Sequence, residues 1–319
     1  MHKLDPAENG AVAADWAAEV MKSVGRVVLG KPEQIELCLT AALAGGHILI
    51  EDAPGVGKTS LARALASALG LSFARIQCTS DLLPSDIIGV TVFDQAQGSF
   101  EFREGPLFHQ LVLVDELNRA SPRTQSALLE AMAEGAVSLE GQPRLLPAPF
   151  LVIATQNPLE HAGTYPLPDS QLDRFMFRIA LGYPPPAAER QLLQHEAAAP
   201  SSAPVLDSRG ATLLQAQEEA REVRLSPEVA DYLARHIEAT RHSEQLAAGA
   251  STRGAILLAR AARARALLRR RDFVLPEDVK SLLVPTLSHR VSLARGSQGW
   301  DRRGAERVIA DIAEQVAVP

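Results

Sequence analysis

The chain has 319 residues, 46% of them hydrophobic and 22% charged, an ordinary soluble globular composition whose length suits two domains. Aromatic residues make up only 4%, so the cores must rest mainly on Leu, Val, Ile and Ala. A formal net charge of −6 gives no general attraction to nucleic acid or to anionic membranes.

The N-terminus reads Met-His-Lys-Leu-Asp-Pro-Ala-Glu, without the basic start and apolar run of a signal peptide. No apolar stretch approaches about 18 residues, so no membrane span is expected, and a reducing cytoplasm is the expected compartment. Residues 48–50 predict a strand, followed by a glycine loop and a helix over 60–69 that Gly70 closes. Residues 72–76 predict a second strand. Residues 90–102 alternate polar and apolar around a tip at Gly98, which predicts a β-hairpin. The continuous apolar run 111–114 reads as a strand buried on both faces. Ser121-Pro122 supplies an N-cap and a first-turn proline for a helix running to Glu134 before Gly135. A second hairpin is expected at 136–146, around Gly141-Gln142-Pro143, and another buried strand at 151–154. Strands alternating with helices imply a parallel sheet in a three-layer α/β domain over residues 1–183.

Tyr183-Pro184-Pro185-Pro186 reads as a short stiff linker. Beyond it helices are expected at 187–196, 209–222, 227–242, 252–270 and 276–283, with a loop at 197–204. Residues 184–319 are therefore expected to form a small all-α bundle. Cys38 and Cys78 stand in no metal-ligand spacing and are expected as buried reduced thiols. The eight histidines form no HExxH or i, i+4 pair, so no protein-bound transition metal is expected.

The most informative segment is Ala53-Pro54-Gly55-Val56-Gly57-Lys58-Thr59, set between a predicted strand and a helix that continues from Ser60. Glycines let backbone N–H groups curl around phosphates, and the helix N-terminus adds the positive end of its dipole. Lys58 can reach β and γ phosphates, and the Thr59 hydroxyl can ligate Mg²⁺. The strict pattern G-x-x-x-x-G-K-[ST] wants glycine at position 52, where this chain has Asp52. Asp115 and Glu116 close the strand at 111–114, and ligands of parallel sheets bind at the carboxyl ends of strands. Asp115 suits Mg²⁺, directly or through water, and Glu116 suits activation of an attacking water. Asn157, in Ala-Thr-Gln-Asn-Pro, reads equally as a group holding that water or as an Asn-Pro turn.

Taken together these residues resemble the AAA+ ATPases, and within them the MoxR family, over about residues 28–289. The resemblance rests on Glu-Asp-Ala-Pro-Gly-Val-Gly-Lys-Thr at 51–59, Val-Asp-Glu-Leu-Asn-Arg-Ala at 114–120 and the helix segment at 124–132. It also rests on Ala-Thr-Gln-Asn-Pro at 154–158, Gly-Thr-Tyr-Pro-Leu-Pro at 163–168 and Gln-Leu-Asp-Arg-Phe at 171–175. MoxR proteins often lack the first glycine, so Asp52 fits. The resemblance implies an AAA+ P-loop α/β/α domain with β-hairpin insertions and a helical lid. It gives Asn157 the place of sensor 1, Arg174 that of an arginine finger reaching a neighbouring subunit's ATP, and Arg253 that of sensor 2. Ser-Thr-Arg-Gly around Arg253 departs from the commoner Ser-Pro-Arg form. Val28-Leu29-Gly30 resembles the segment that lies against adenine. Such proteins form rings, usually hexamers, act with partners carrying a von Willebrand factor A domain, and remodel or mature protein clients.

Arg253, Arg260, Arg263, Arg265, Arg269, Arg270 and Arg271 crowd the helix predicted at 252–270 and the residue after it. A nucleic-acid patch and a solvated helix face both produce such a run; the acidic whole and the few aromatics favour the solvated face. Two other functions share the ATPase core, a nucleic-acid motor related to MCM helicases and a nucleotide-switched scaffold with slow turnover.

Overall fold

The computed structural model describes residues 6–139, 141–158, 163–195, 213–294 and 302–319. Five short strands form one parallel sheet: β1 (His47–Glu51), β2 (Phe73–Gln77), β3 (Leu111–Asp115), β4 (Leu151–Gln156) and β5 (Phe175–Ile179). Their spatial order is β2-β3-β4-β1-β5. β1, β3 and β5 are buried along their whole length. Continuous burial is what a sheet covered on both faces requires, and it accounts for the unbroken apolar runs.

Period-two alternation divides the strand side chains between two layers. Ile48, Ile50, Leu111, Leu113, Leu151 and Ile153 join one apolar cluster, and Leu49, Val112, Val114, Val152 and Ala154 join the other. The first cluster contains helices α1 (Pro6–Gly25), α2 (Pro32–Leu43) and α3 (Lys58–Leu69). The second contains α4 (Pro84–Ile88) and α5 (Pro122–Glu134). Ser121 caps α5 by accepting from Thr124 N at 3.3 Å, and Gly135 ends it at φ 61°, as the sequence predicts. Both predicted hairpins form: Gly89–Asp94 with Ser99–Glu104, and Ala136–Leu139 with Gln142–Leu145. They touch through Arg144, whose guanidinium lies 4.3 Å from the Phe102 ring centroid. A short helix α6 (Asp169–Leu172) leads into β5.

The residues after the proline linker form α7 (Pro186–His195), α8 (Leu213–Glu222), α9 (Pro227–His242), α10 (Thr252–Leu268), α11 (Pro276–Leu287) and α12 (Arg302–Gln315). The apolar faces of α8 to α12 continue the first cluster, through Ala216, Tyr232, Leu258, Leu282 and Ile309. Residues 196–212 lie outside the described residues, so the loop expected at 197–204 and the start of the helix expected at 209 do too. The bundle is not purely helical. Leu246–Ala248 and Ser292–Leu293 pair as a small antiparallel ribbon. α11 runs past the predicted end at 283 with Pro285 inside it, because Thr286 and Leu287 are fully buried and their packing outweighs the lost backbone bond.

Most of the arginine run is paired within the chain. Arg265 and Arg269 pair with Glu36 of α2, Arg270 with Asp15 of α1, and Arg271 with Asp278 of α11. Arg263 donates to Val223 O. The pairs with Glu36 and Asp15 fasten the end of α10 to helices beside the sheet, and the other two contacts tie it to its neighbours in the bundle. Cys38 and Cys78 are buried and free, as expected, and burial pushes both thiols up to about 12. Among the described residues no helix is long and apolar enough to cross a membrane.

At the far end of β1, His47 is buried between strand and helix. Its Nδ1 accepts from Val152 N at 3.0 Å, which leaves Nε2–H to donate to Met132 O at 3.0 Å. Burial pulls its pKa down to about 4. The unfolded chain binds a proton here below about 6.5 and the folded chain does not, so stability falls as pH drops from 6.5 to about 4. The full contribution is roughly 3 kcal/mol. Urea unfolding of the parent protein and of His47→Gln across that window should show the parent losing more stability, with about one extra proton in its slope. Equal slopes would remove His47 from the acid response.

Candidate nucleotide site

The loop joining β1 to α3 sits at the carboxyl end of the sheet. Gly55 and Gly57 hold φ of 83° and 92°, a left-handed conformation that side-chain-bearing residues avoid. A Cβ built on either meets nothing within 4 Å, so backbone conformation and not crowding calls for glycine there. Val56 is the loop's buried anchor, while Ala53 is half-buried and Pro54 and Gly55 are exposed. Gly57 is also the N-cap of α3, and no side chain caps that helix. Its first N–H groups are left for an anion. Thr59 and Ser60 stand in the same first turn, half-buried and exposed.

Lys58 Nζ donates to Asp52 O at 2.7 Å. Burial pulls the Lys58 ammonium below the usual lysine value, while the carboxylates of Asp52, Asp115 and Glu116 hold it up. These three acids therefore share the lysine's surroundings. Asp52 uses its carboxylate where a glycine has none. Oδ1 accepts from Ala53 N at 2.8 Å and Oδ2 from Gly182 N at 2.6 Å.

The acidic pair ends β3. Asp115 is buried; its Oδ2 accepts from Arg75 Nε at 2.7 Å and its Oδ1 from the Thr155 hydroxyl at 3.2 Å. The same hydroxyl oxygen accepts from Glu116 N at 3.0 Å. Glu116 leaves the strand with φ 57°, an unusual conformation for a non-glycine residue, and its side chain is half-buried. Its Oε2 accepts from Gln77 Nε2 at 3.1 Å and from Arg119 Nη1 at 3.0 Å. Asn157 directly follows β4, which lies between β1 and β3, so it emerges between the phosphate loop and the acidic pair.

Two predicted residues stand elsewhere. Arg174 immediately precedes β5, whose first residue Phe175 pairs with His47 at the start of β1. Parallel strands of that length separate Arg174 from its own phosphate loop by about 15 Å. Its guanidinium donates to Leu129 O of α5. Arg253 is exposed in the first turn of α10, two residues beyond Ser251, whose hydroxyl reaches Asp173 at 3.4 Å. Buried Arg290, which Arg253 adjoins, pairs with the same Asp173 at 2.8 Å. Arg174 and Arg253 thus share the end of the molecule opposite the loop. Gly30 stays on the loop's side, against the proline linker that Asp52 holds at Gly182: a Cβ there would stand 2.6 Å from Pro185 Cδ.

Four residues escape sequence reading. Arg75, Gln77 and Thr155 meet the acidic pair across strand pairings that no local pattern encodes. Arg119 carries a weak signal, three residues past Glu116.

Comparison with known proteins follows the same lines. Residues 47–177 match the family described as ATPase family associated with various cellular activities, and residues 238–315 match the AAA lid domain. The chain is 43% identical to the uncharacterized protein YeaC of Bacillus subtilis, over 94% of each chain. It is 40% identical to chaperone MoxR1 of Mycobacterium tuberculosis, over all of this chain and 87% of that one. A crystal structure from Cytophaga hutchinsonii, of a protein assigned as an ATPase, superposes with a TM-score of 0.87 at 36% identity, covering 98% of this chain and 97% of that one.

Proposed function

The chain belongs to the MoxR family of AAA+ ATPases, and on that footing we propose that it binds ATP with Mg²⁺ and hydrolyses it within a ring of its own copies, to remodel protein clients. The observation that carries the proposal is the convergence of Lys58, Thr59, Asp115 and Glu116 around an uncapped helix N-terminus at one end of the sheet.

In this reading the loop 53–60 cradles the phosphates with backbone N–H groups, and Lys58 leaves Asp52 O for the β and γ phosphates. Thr59 and Asp115 offer the hard oxygen donors that Mg²⁺ takes. The ion supplies charge neutralisation on the phosphate oxygens. Thr155 holds Asp115 and the Glu116 backbone in fixed relation. Glu116 accepts the proton of the attacking water and Asn157 orients that water. Arg174 and Arg253, remote from their own loop, serve the phosphates of the next subunit. A head-to-tail contact of that kind closes into a ring, here taken as six copies. The division into a nucleotide core and a lid at residues 183/184 and a partner with a von Willebrand factor A domain belong to the same proposal. Client remodelling draws support from the chaperone name of the MoxR1 relative. The exposed rings of Phe93 and Phe100, 5.1 Å apart on the first hairpin, are suited to client or partner contact.

Lys58→Ala tests the first step. It removes the cation that the loop itself aims at the phosphates and should lower affinity for a fluorescent ATP analogue by at least about 10²-fold. Affinity equal to the parent's would sink the phosphate-loop assignment.

A further inference from the structure

Asp52 engages every polar group it has. Besides its two carboxylate bonds, its N–H donates to Gln156 O at 3.2 Å and its carbonyl accepts from Lys58. The bond to Ala53 N is a local turn contact. The bond to Gly182 N spans 130 residues and serves no local purpose. Gly182 follows buried Leu181 at the exit of β5, and Tyr183 and three prolines lead from it into α7. Prolines fix φ, so the freedom of this joint is concentrated at Gly182, whose φ is 65°, and at Tyr183. The joint is gripped on its other side by Lys31 Nζ on Tyr183 O at 2.6 Å and by Gly30 against Pro185. Asp52 therefore holds the glycine of the joint with its side chain, and with its carbonyl holds the lysine that a nucleotide would claim.

We infer that Asp52 is a positioning residue that couples occupancy of the phosphate loop to the joint between the sheet and the lid helices. The inference rests on the ATP reading above. When Lys58 changes partner from Asp52 O to phosphate, the backbone at residue 52 loses a restraint, and the change passes to Gly182 through the carboxylate. A glycine at position 52 would bind phosphate equally well and leave the joint uninformed.

Hydrogen exchange reads this directly, because residues 184–186 are prolines and a peptide spanning 180–186 reports only the amides before them. The full chain is compared with Asp52→Gly and Asp52→Asn, each with and without a non-hydrolysable ATP analogue and Mg²⁺. In the parent, the analogue should change exchange at Gly182 by at least about threefold. In Asp52→Gly the free protein's Gly182 amide should exchange at least about tenfold faster, with no response to the analogue. The analogue should still bind within about threefold of the parent, and kcat should fall more than KM changes. Asp52→Asn keeps an acceptor oxygen and should restore part of the protection and of the response. Unchanged Gly182 protection in Asp52→Gly, or a retained response to the analogue, would overturn the inference. A parent that binds the analogue with an unresponsive Gly182 sinks the coupling alone; a parent that binds no nucleotide sinks the ATP reading and the coupling with it.

Discussion

Arg174→Ala should bind ATP normally and turn it over about 10³-fold more slowly, and a partner subunit should be able to repair the loss. An arginine supplied across an interface stabilises charge on the transferring phosphoryl group, worth roughly 10³–10⁵ in rate. The placement of Arg174 before β5, at the start of the sheet, keeps it from its own loop at the sheet's carboxyl end. A mixture with Glu116→Gln offers the decisive measurement. Some interfaces would pair an intact Glu116 in the Arg174→Ala subunit with an intact Arg174 from the other. With mixed assemblies proven by two affinity tags, phosphate release should rise above the sum of the separate variants. Proven mixed assemblies without recovery would falsify the trans assignment and make Arg174 a residue of its own subunit, bound to Leu129 O for structural reasons.

Glu116→Gln should keep ATP affinity and cut turnover by at least about 10²-fold, since the amide preserves shape and cannot accept a proton. The structure adds a reason why shape is preserved. Gln77 and Arg119 both donate to Oε2, and the glutamine carbonyl can accept from both in its place. The variant should accumulate as an ATP-bound oligomer, visible by size exclusion. Near-parental steady-state hydrolysis would mean that another group activates the water.

What the sequence displays of this site is what lies contiguous in it. The loop 53–59 and the pair Asp115-Glu116 each occupy one short segment whose residue types match the chemistry, and both stand at strand ends, as the apolar runs before them predict. The partners that bind the acidic pair are invisible for the opposite reason. Arg75, Gln77 and Thr155 reach it only because β2 and β4 flank β3, and strand order is a global property. β5 escapes because Arg178 interrupts an otherwise apolar run; it is nevertheless fully buried, where Ser288 Oγ accepts from it at 3.1 Å and Glu306 of α12 lies 3.7 Å away. α1 escapes because much of its buried face is alanine, at 13, 14 and 17, which signals neither core nor surface. The ion pairs of the arginine run are not legible because its acidic partners are on α1, α2 and α11, up to 255 residues away.

With the acidic pair at one end of the sheet and Arg174 at the other, the proposed trans arginine would make catalysis a count of junctions rather than of chains. In that reading a single copy holds two halves that cannot meet. An open arc of n copies holds n − 1 complete junctions and leaves an unmatched half at each tip, whereas closure into a circle adds the last one. On the proposed assignment, activity per chain should climb in steps with assembly size and reach its ceiling only on closure, so the specific activity of a preparation would gauge how much of it has closed.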